Sequence, residues 1–312
     1  ESARAFRDSG MRAAIGLALF DFDDPQRRRE EQRTAERVLA GFDVSTTDGR
    51  PPRVFPIVAP HSPYTCSPEL LTWAADLAQT HSLVYHTHLS ETEQEVRDLR
   101  AHRGSTPFAW LETLGILEKT GEKTIAAHGI WIEEPELELA ARRRMTVVHN
   151  PASNMKLASG AFPYAAYRDH GVPLMLAPDG VASNNNLDMF DEMRLAALLQ
   201  KHHFRDATLL PAEEILSIAG GGRSNVFSDF GIAGELREGS PADLVIVGLT
   251  HPQINPVHRI ESNLVYAANG SVVDTVICDG EILMRSGEIP EEDEVIREAR
   301  RCASALVERA RR

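Results

Sequence analysis

"SLVYHTHLSETEQEV", residues 82–96, poses the question on which the fold turns. An apolar run closes on His86-Thr87-His88, Glu91 follows, and the acid-rich opening of a helix comes next. Histidines at the end of a buried strand either satisfy hydrogen bonds in a core or converge on a metal beside a proton-carrying acid. The stretch alone leaves both readings open. What decides between them is whether other strands end in the same way.

They do. "RVFPIVAP" (53–60) leads into His61-Ser62, "KTIAAHG" (123–129) contains His128, "MTVVHN" (145–150) ends in His149-Asn150, and "VPLMLAPDG" (172–180) ends in Asp179-Gly180. "AAIGLALF" (13–20) is a further strand of the same kind. These runs lack alternation and are separated by amphipathic patterns near 26–41, 67–80, 91–102, 106–117, 134–143, 163–170 and 187–202. Parallel strands covered on both faces read this way. Six consecutive βα units fit a doubly wound sheet or most of a (β/α)8 barrel. No GxGxxG follows the first strand, which counts against a dinucleotide fold. A barrel places its chemistry at the C-terminal strand ends, where five successive strands carry a histidine or an acid.

After about residue 230 the rhythm changes. "GELREGSPADLVIVG" (234–248) predicts turns and a strand, "VVDTVICDGEILMRSG" (272–287) a hairpin about Asp279-Gly280, and 291–310 a charged helix. The expected division is a barrel portion over 1–231 and a small β-sandwich portion with a closing helix over 232–312.

Composition narrows the function classes. The chain has 312 residues, 42% hydrophobic and 25% charged, with a net charge of −13 and three scattered cysteines. A disulfide framework is excluded, and no nucleic-acid or membrane partner is expected. A reducing, cytoplasmic setting fits best. Arg27-Arg28-Arg29 and Arg142-Arg143-Arg144 read as solvated helix faces. Neutral imidazole and carboxylate suit zinc or a similar divalent ion, which makes hydroxide available near neutral pH. A neighbouring carboxylate can then take a proton and a second acid deliver it to the substrate.

"HTHLSET", "TIAAHG", "VVHNPASNMKLASG", "DGVASNNNLDMFDEMRLAALLQK" and "APHSPYTCS" together resemble the amidohydrolase superfamily, and within it the 5′-methylthioadenosine/S-adenosylhomocysteine deaminases. The resemblance implies a TIM-type barrel, one divalent metal (zinc, with Fe2+ as the alternative), a small-molecule nucleoside substrate and a homo-oligomer. It implies that His88 and Asp179 ligate the metal and that Asp179 is also the general base. It makes Glu91 the purine contact and proton shuttle, and sets His128 beside the reacting water. His61 is implied to contact the substrate ribose. His149 stays open between a substrate contact and a structural residue, and the Ser153-Asn154 and Ser183–Asn186 loops read as pocket wall and helix cap. The family also uses an HxH on its first barrel strand, and no histidine precedes His61. The expectation is therefore that an N-terminal segment of roughly a hundred residues, two βα units and several strands, is missing. The alternatives are a related aminohydrolase or chlorohydrolase of s-triazines or guanine, and a non-catalytic barrel acting as a binding or assembly protein.

Overall fold

The computed structural model describes residues 1–42, 52–222, 224–232 and 234–311. Six strands form one parallel sheet in chain order: β1 (Ala13–Leu19), β2 (Val54–Pro60), β3 (Tyr85–Leu89), β4 (Thr124–His128), β5 (Thr146–His149) and β6 (Leu174–Leu176). β1 and β2 pair along their whole length, from Ala13 opposite Val54 to Leu19 opposite Pro60. The expected βα rhythm is met, with helices at Pro25–Ala40, Pro68–Thr80, Glu93–Arg103, Glu134–Arg143 and Met189–Phe204. The 106–117 pattern resolves into two helices, Pro107–Thr113 and Ile116–Thr120, with Gly115 between them in the left-handed region. β6 is shorter than predicted, because prolines at 173 and 178 bracket it and neither can donate to the ladder.

Side-chain alternation sorts each strand into two layers. Val58, Tyr85, Leu89, Ala126, Val147, Leu174 and Leu176 face the helices and join Leu70, Leu71, Phe108 and Met193 in the larger core. Phe55, Ile57, Val84, Ile125 and Val148 face the concave side and pack with Val226. Phe230 stacks on Phe55 at 3.7 Å between ring centroids and closes that end. The concave face is thus apolar where the strands begin and becomes polar where they end, as along Val84, His86 and His88.

A second, antiparallel sheet contains β7 (Leu244–Val247), β8 (Val273–Cys278) and β9 (Glu281–Met284). The predicted hairpin is present: Asp279 and Gly280 take φ of 50° and 83°, the two positive values that a type I′ turn requires. It is a single three-stranded layer among the described residues. The Arg27–Arg29 reading needs correction. Arg28 Nε lies 2.7 Å from Asp21 Oδ2, and Asp21 is fully buried and also accepts from the Ser67 backbone amide. A buried carboxylate needs such a partner, so Arg28 belongs to the structure rather than to a solvated face. No helix of the described residues is long and apolar enough to cross a membrane.

Candidate metal and acid–base site

The structure brings His61, His86, His88, Glu91, His128 and Asp179 to the C-terminal rim of the six-stranded sheet. The rings of His61 and His88 lie 4.8 Å apart, those of His86 and His88 6.1 Å, and those of His88 and His128 5.4 Å. His88, His128 and Asp179 each offer one ligand atom, and these atoms lie within 4.8 Å of one another. Two atoms that share one ion through bonds of about 2.0–2.2 Å lie at most about 4.4 Å apart, so a small inward adjustment of these side chains brings them to ligating distance.

Hydrogen bonds to the far side of each ring fix what it presents. His88 Nδ1–H donates to the His61 carbonyl at 2.7 Å, and the same oxygen accepts from the His88 backbone amide at 2.9 Å. His128 Nδ1–H donates to Asn154 Oδ1 at 2.9 Å. Both imidazoles therefore turn a bare Nε2 toward the shared space. A second partner that fixes the tautomer in this way is the usual support of a metal-binding histidine. Burial pushes the His88 pKa below its ordinary value, outweighing the opposing carbonyl bond, so the ring is neutral and able to ligate.

Asp179 Oδ2 accepts from Ser153 Oγ at 2.7 Å and from Ser183 Oγ at 2.6 Å. Burial alone would raise this carboxyl, but these hydrogen bonds prevail and hold it below its usual range. Asp179 is ionised at neutral pH, and one of its carboxylate oxygens lies within reach of the His88 and His128 ring nitrogens. Glu91 sits across the space with Oε2 3.8 Å from His128 Nε2, and Ser159 Oγ lies 3.5 Å from its other oxygen. His61 lines the same rim, its Nδ1 held by Thr65 Oγ1 at 2.9 Å and Ser62 Oγ at 3.1 Å. His86 is pushed down to about 4 by burial and is neutral.

Backbone strain is concentrated here. His128, Asp179 and Ser90 have φ of 72°, 63° and 52°, a region that side-chain-bearing residues enter at a cost of about 1 kcal/mol or more. Gly129 follows His128 with φ of 57°, and its carbonyl accepts from Tyr167 Oη at 2.7 Å. A Cβ at this position would lie 2.4 Å from that hydroxyl, so only glycine lets the chain turn beneath His128.

His149 does not join the group. It is 3% exposed, its ring stacks on Phe162 at 4.4 Å, and neither nitrogen has a hydrogen-bond partner. It shares strand parity with Val147 and lies in the helix-facing layer, and burial pushes its pKa down to about 3. The substrate contact allowed for it from sequence is not what this placement gives.

Sequence reasoning missed the supporting residues. Ser153, Asn154 and Ser183 read as pocket wall and cap, yet they hold Asp179 and His128. Glu192, 1% exposed, joins the helices that carry them by accepting from Ala152 N at 3.2 Å and Asn184 Nδ2 at 2.7 Å. Glu95, 6% exposed, accepts from the backbone amides of Ser90 at 3.1 Å and Glu91 at 2.8 Å, and so fixes the loop that carries Glu91. Its signal was an acid at the third position of a Thr92-capped helix, where a carboxylate commonly reaches back to free amides.

Residues 2–283 match the amidohydrolase family. The chain is 43% identical to the 5′-deoxyadenosine deaminase of Methanospirillum hungatei over 311 residues, which cover 99% of this chain and 67% of that protein. It is 39% identical to the 5-methylthioadenosine/S-adenosylhomocysteine deaminase of Bacillus cytotoxicus, across 96% of this chain and 68% of that one. The crystal structure of a zinc-bound adenosine deaminase from Xanthomonas campestris superposes with a TM-score of 0.87 at 33% identity, covering 97% of this chain and 68% of that chain. With strand-end histidines and an aspartate gathered on one rim of a parallel sheet, and with these likenesses over nearly its whole length, the chain belongs to the amidohydrolase family.

Proposed function

We propose that the chain carries the acid–base half of a metal-dependent deaminase acting on adenosine-type nucleosides. The class includes 5′-methylthioadenosine, S-adenosylhomocysteine, 5′-deoxyadenosine and adenosine, and the products are the inosine analogue and ammonia. The observation that carries the reading is the cluster of His88, His128 and Asp179 with the Glu91 carboxylate across it. The names of the relatives and the zinc in the Xanthomonas structure support the substrate class and the ion.

Two bare imidazole nitrogens and one ionised carboxylate fit zinc or ferrous iron. His88 and Asp179 would hold the ion, with His128 at its edge. When bound, the ion supplies a Lewis acid that brings the pKa of water toward neutrality. Asp179, ionised, takes the proton that water gives up as it adds to C6 of the purine. Glu91 relays the water's other proton to the ring nitrogen, so that negative charge does not build up there as the oxygen adds to C6, and the proton taken by Asp179 passes to the amine, which leaves as ammonia. His128, its tautomer fixed by Asn154, aims Nε2 at the space where the attacking oxygen sits. His61 stands at the mouth, where it can meet the ribose.

The test is zinc titration followed by ammonia release from each nucleoside, with guanine and an s-triazine as comparators. Glu91→Gln should keep zinc and lose activity by roughly 10²–10⁴-fold. Asp179→Asn should lose both. Zinc binding with turnover of guanine or triazine but not of nucleosides would sink the substrate class. No zinc binding would sink the metal site.

A further inference from the structure

The turn that brings His128 into the site is held from two sides. Gly129 is buried. Its amide donates to the Leu89 carbonyl at 3.0 Å, and the next two amides, of Ile130 and Trp131, both donate to the Ser90 carbonyl, at 2.9 and 3.0 Å. The end of β3 thus satisfies the donors of the turn. The Gly129 carbonyl is satisfied from the helix layer instead. Among the described residues, Tyr167 Oη is the only donor to it, at 2.7 Å. A buried carbonyl that loses its donor has no water to turn to, so the turn depends on that hydroxyl.

Tyr167 is itself fixed. It is fully buried in the short helix Tyr164–Asp169, and its ring lies flat on Phe162, with centroids 4.8 Å apart and planes 9° from parallel. Phe162 in turn lies flat on His149, at 4.4 Å and 15°. Close packing of this kind leaves a ring little freedom to turn away. Burial also holds the phenol well above its ordinary pKa, so the oxygen keeps the proton that it donates. His149 stays out of the site, yet it ends a stack whose other end reaches the turn beneath His128.

We propose that Tyr167 is a positioning residue for the deamination: its hydroxyl, held by the stack of His149, Phe162 and Tyr167, fixes the turn that aims His128 Nε2 at the attacking oxygen. The consequence for turnover rests on the role given to His128 above. The placement of the His128 ring can be read without turnover.

Tyr167→Phe removes the one oxygen and keeps the stack. The test is the nitrogen resonances of isotope-labelled histidine in the metal-free chain, with His128 assigned by His128→Gln and circular dichroism as the check on folding. In the variant the His128 nitrogens should shift and lose their single-tautomer pattern, while those of His88 hold. With zinc present, kcat for 5′-methylthioadenosine should fall by about 10–100-fold, with KM and zinc affinity within about twofold of wild type. Tyr164→Phe is the control, since it removes a buried hydroxyl from the same helix that makes no hydrogen bond to the turn; it should move neither readout. A folded Tyr167→Phe protein with unchanged His128 resonances overturns the proposal. So does an equal change in Tyr164→Phe, which would mark a general loosening of the helix. Should wild type release no ammonia, the proposed activity fails, and the His128 resonances still confirm or overturn the positioning.

Discussion

Glu95 offers a stability test of how the Glu91 loop is held. Its carboxyl is pushed up from 4.5 to about 7, chiefly by burial, despite the amide hydrogen bonds from Glu91 and Ser90. Between those two pH values the folded protein keeps a proton that the unfolded chain has lost. Its contribution to stability is therefore complete below pH 4.5 and is lost as pH rises through about 7. A shift of this size corresponds to about 3 kcal/mol. Histidines act in the opposite sense. His149 and His86, held near 3 and 4, must be neutral in the fold, so they remove stability as pH falls below 6.5. Wild-type stability therefore mixes both trends, and the informative quantity is a difference. Glu95→Gln cannot titrate. Its Oε1 accepts one of the two amides while its NH₂ confronts the other, a cost of about 1–3 kcal/mol that does not vary with pH. Urea unfolding of both proteins at pH 4.5 and pH 8 should show the variant's deficit shrinking by about 3 kcal/mol at the higher pH. A deficit constant to within about 0.5 kcal/mol would refute the reasoning, because the Ser90 and Glu91 amides would then have compensated the buried charge in full.

Three further outcomes follow from the geometry. His149→Phe keeps the stack on Phe162 and removes two unpartnered nitrogens; it should raise stability at pH 5 by about 2 kcal/mol relative to wild type, with a smaller gain at pH 7.5, by urea titration. Asn154→Leu leaves His128 Nδ1 without its acceptor and should lower the rate of ammonia release by about 10–100-fold with zinc affinity little changed, measured by turnover and by competition with a chelator. Gly129→Ala sets a methyl against Tyr167 Oη and Val147 at a positive φ and should cost about 3 kcal/mol, seen as a fall in Tm.

The course of the strands and the identity of the rim residues were legible because they rest on local signals: apolar runs, turn dipeptides, and a histidine or acid at the ends of five successive strands. The layer behind the rim was not. Ser153 and Ser183 meet on one carboxylate from positions 26 residues before it and four after it, and Arg28 meets Asp21 seven residues before it and Ser67 39 residues after it. Such polar pairs have no period. Each member alone looks like an ordinary cap or a surface charge.

The contrast between His128 and His149 shows where the sequence signal ends. His61 and His88 share strand parity with the concave-facing residues Ile57 and Val84, so alternation carries them to the rim, while Asp179 shares the parity of Met175 but lies past its strand at a φ of 63°. His128 and His149 share parity with Ala126 and Val147, which face the helices. Alternation would bury both rings behind the sheet. His149 obeys it and stacks on Phe162. His128 escapes because its own φ of 72° and that of Gly129 at 57° turn the chain, so that Nε2 comes within 3.8 Å of Glu91. The glycine after His128, against the asparagine after His149, is the one local difference that the sequence offered. A glycine admits the left-handed turn without steric cost, whereas Asn150 keeps a negative φ of −122°, stands at the N-cap of the helix that follows and donates its side-chain amide to the Ala177 carbonyl at 3.0 Å. Two strand-end histidines of the same parity thus differ in chemistry through the two positive backbone torsions at His128 and Gly129.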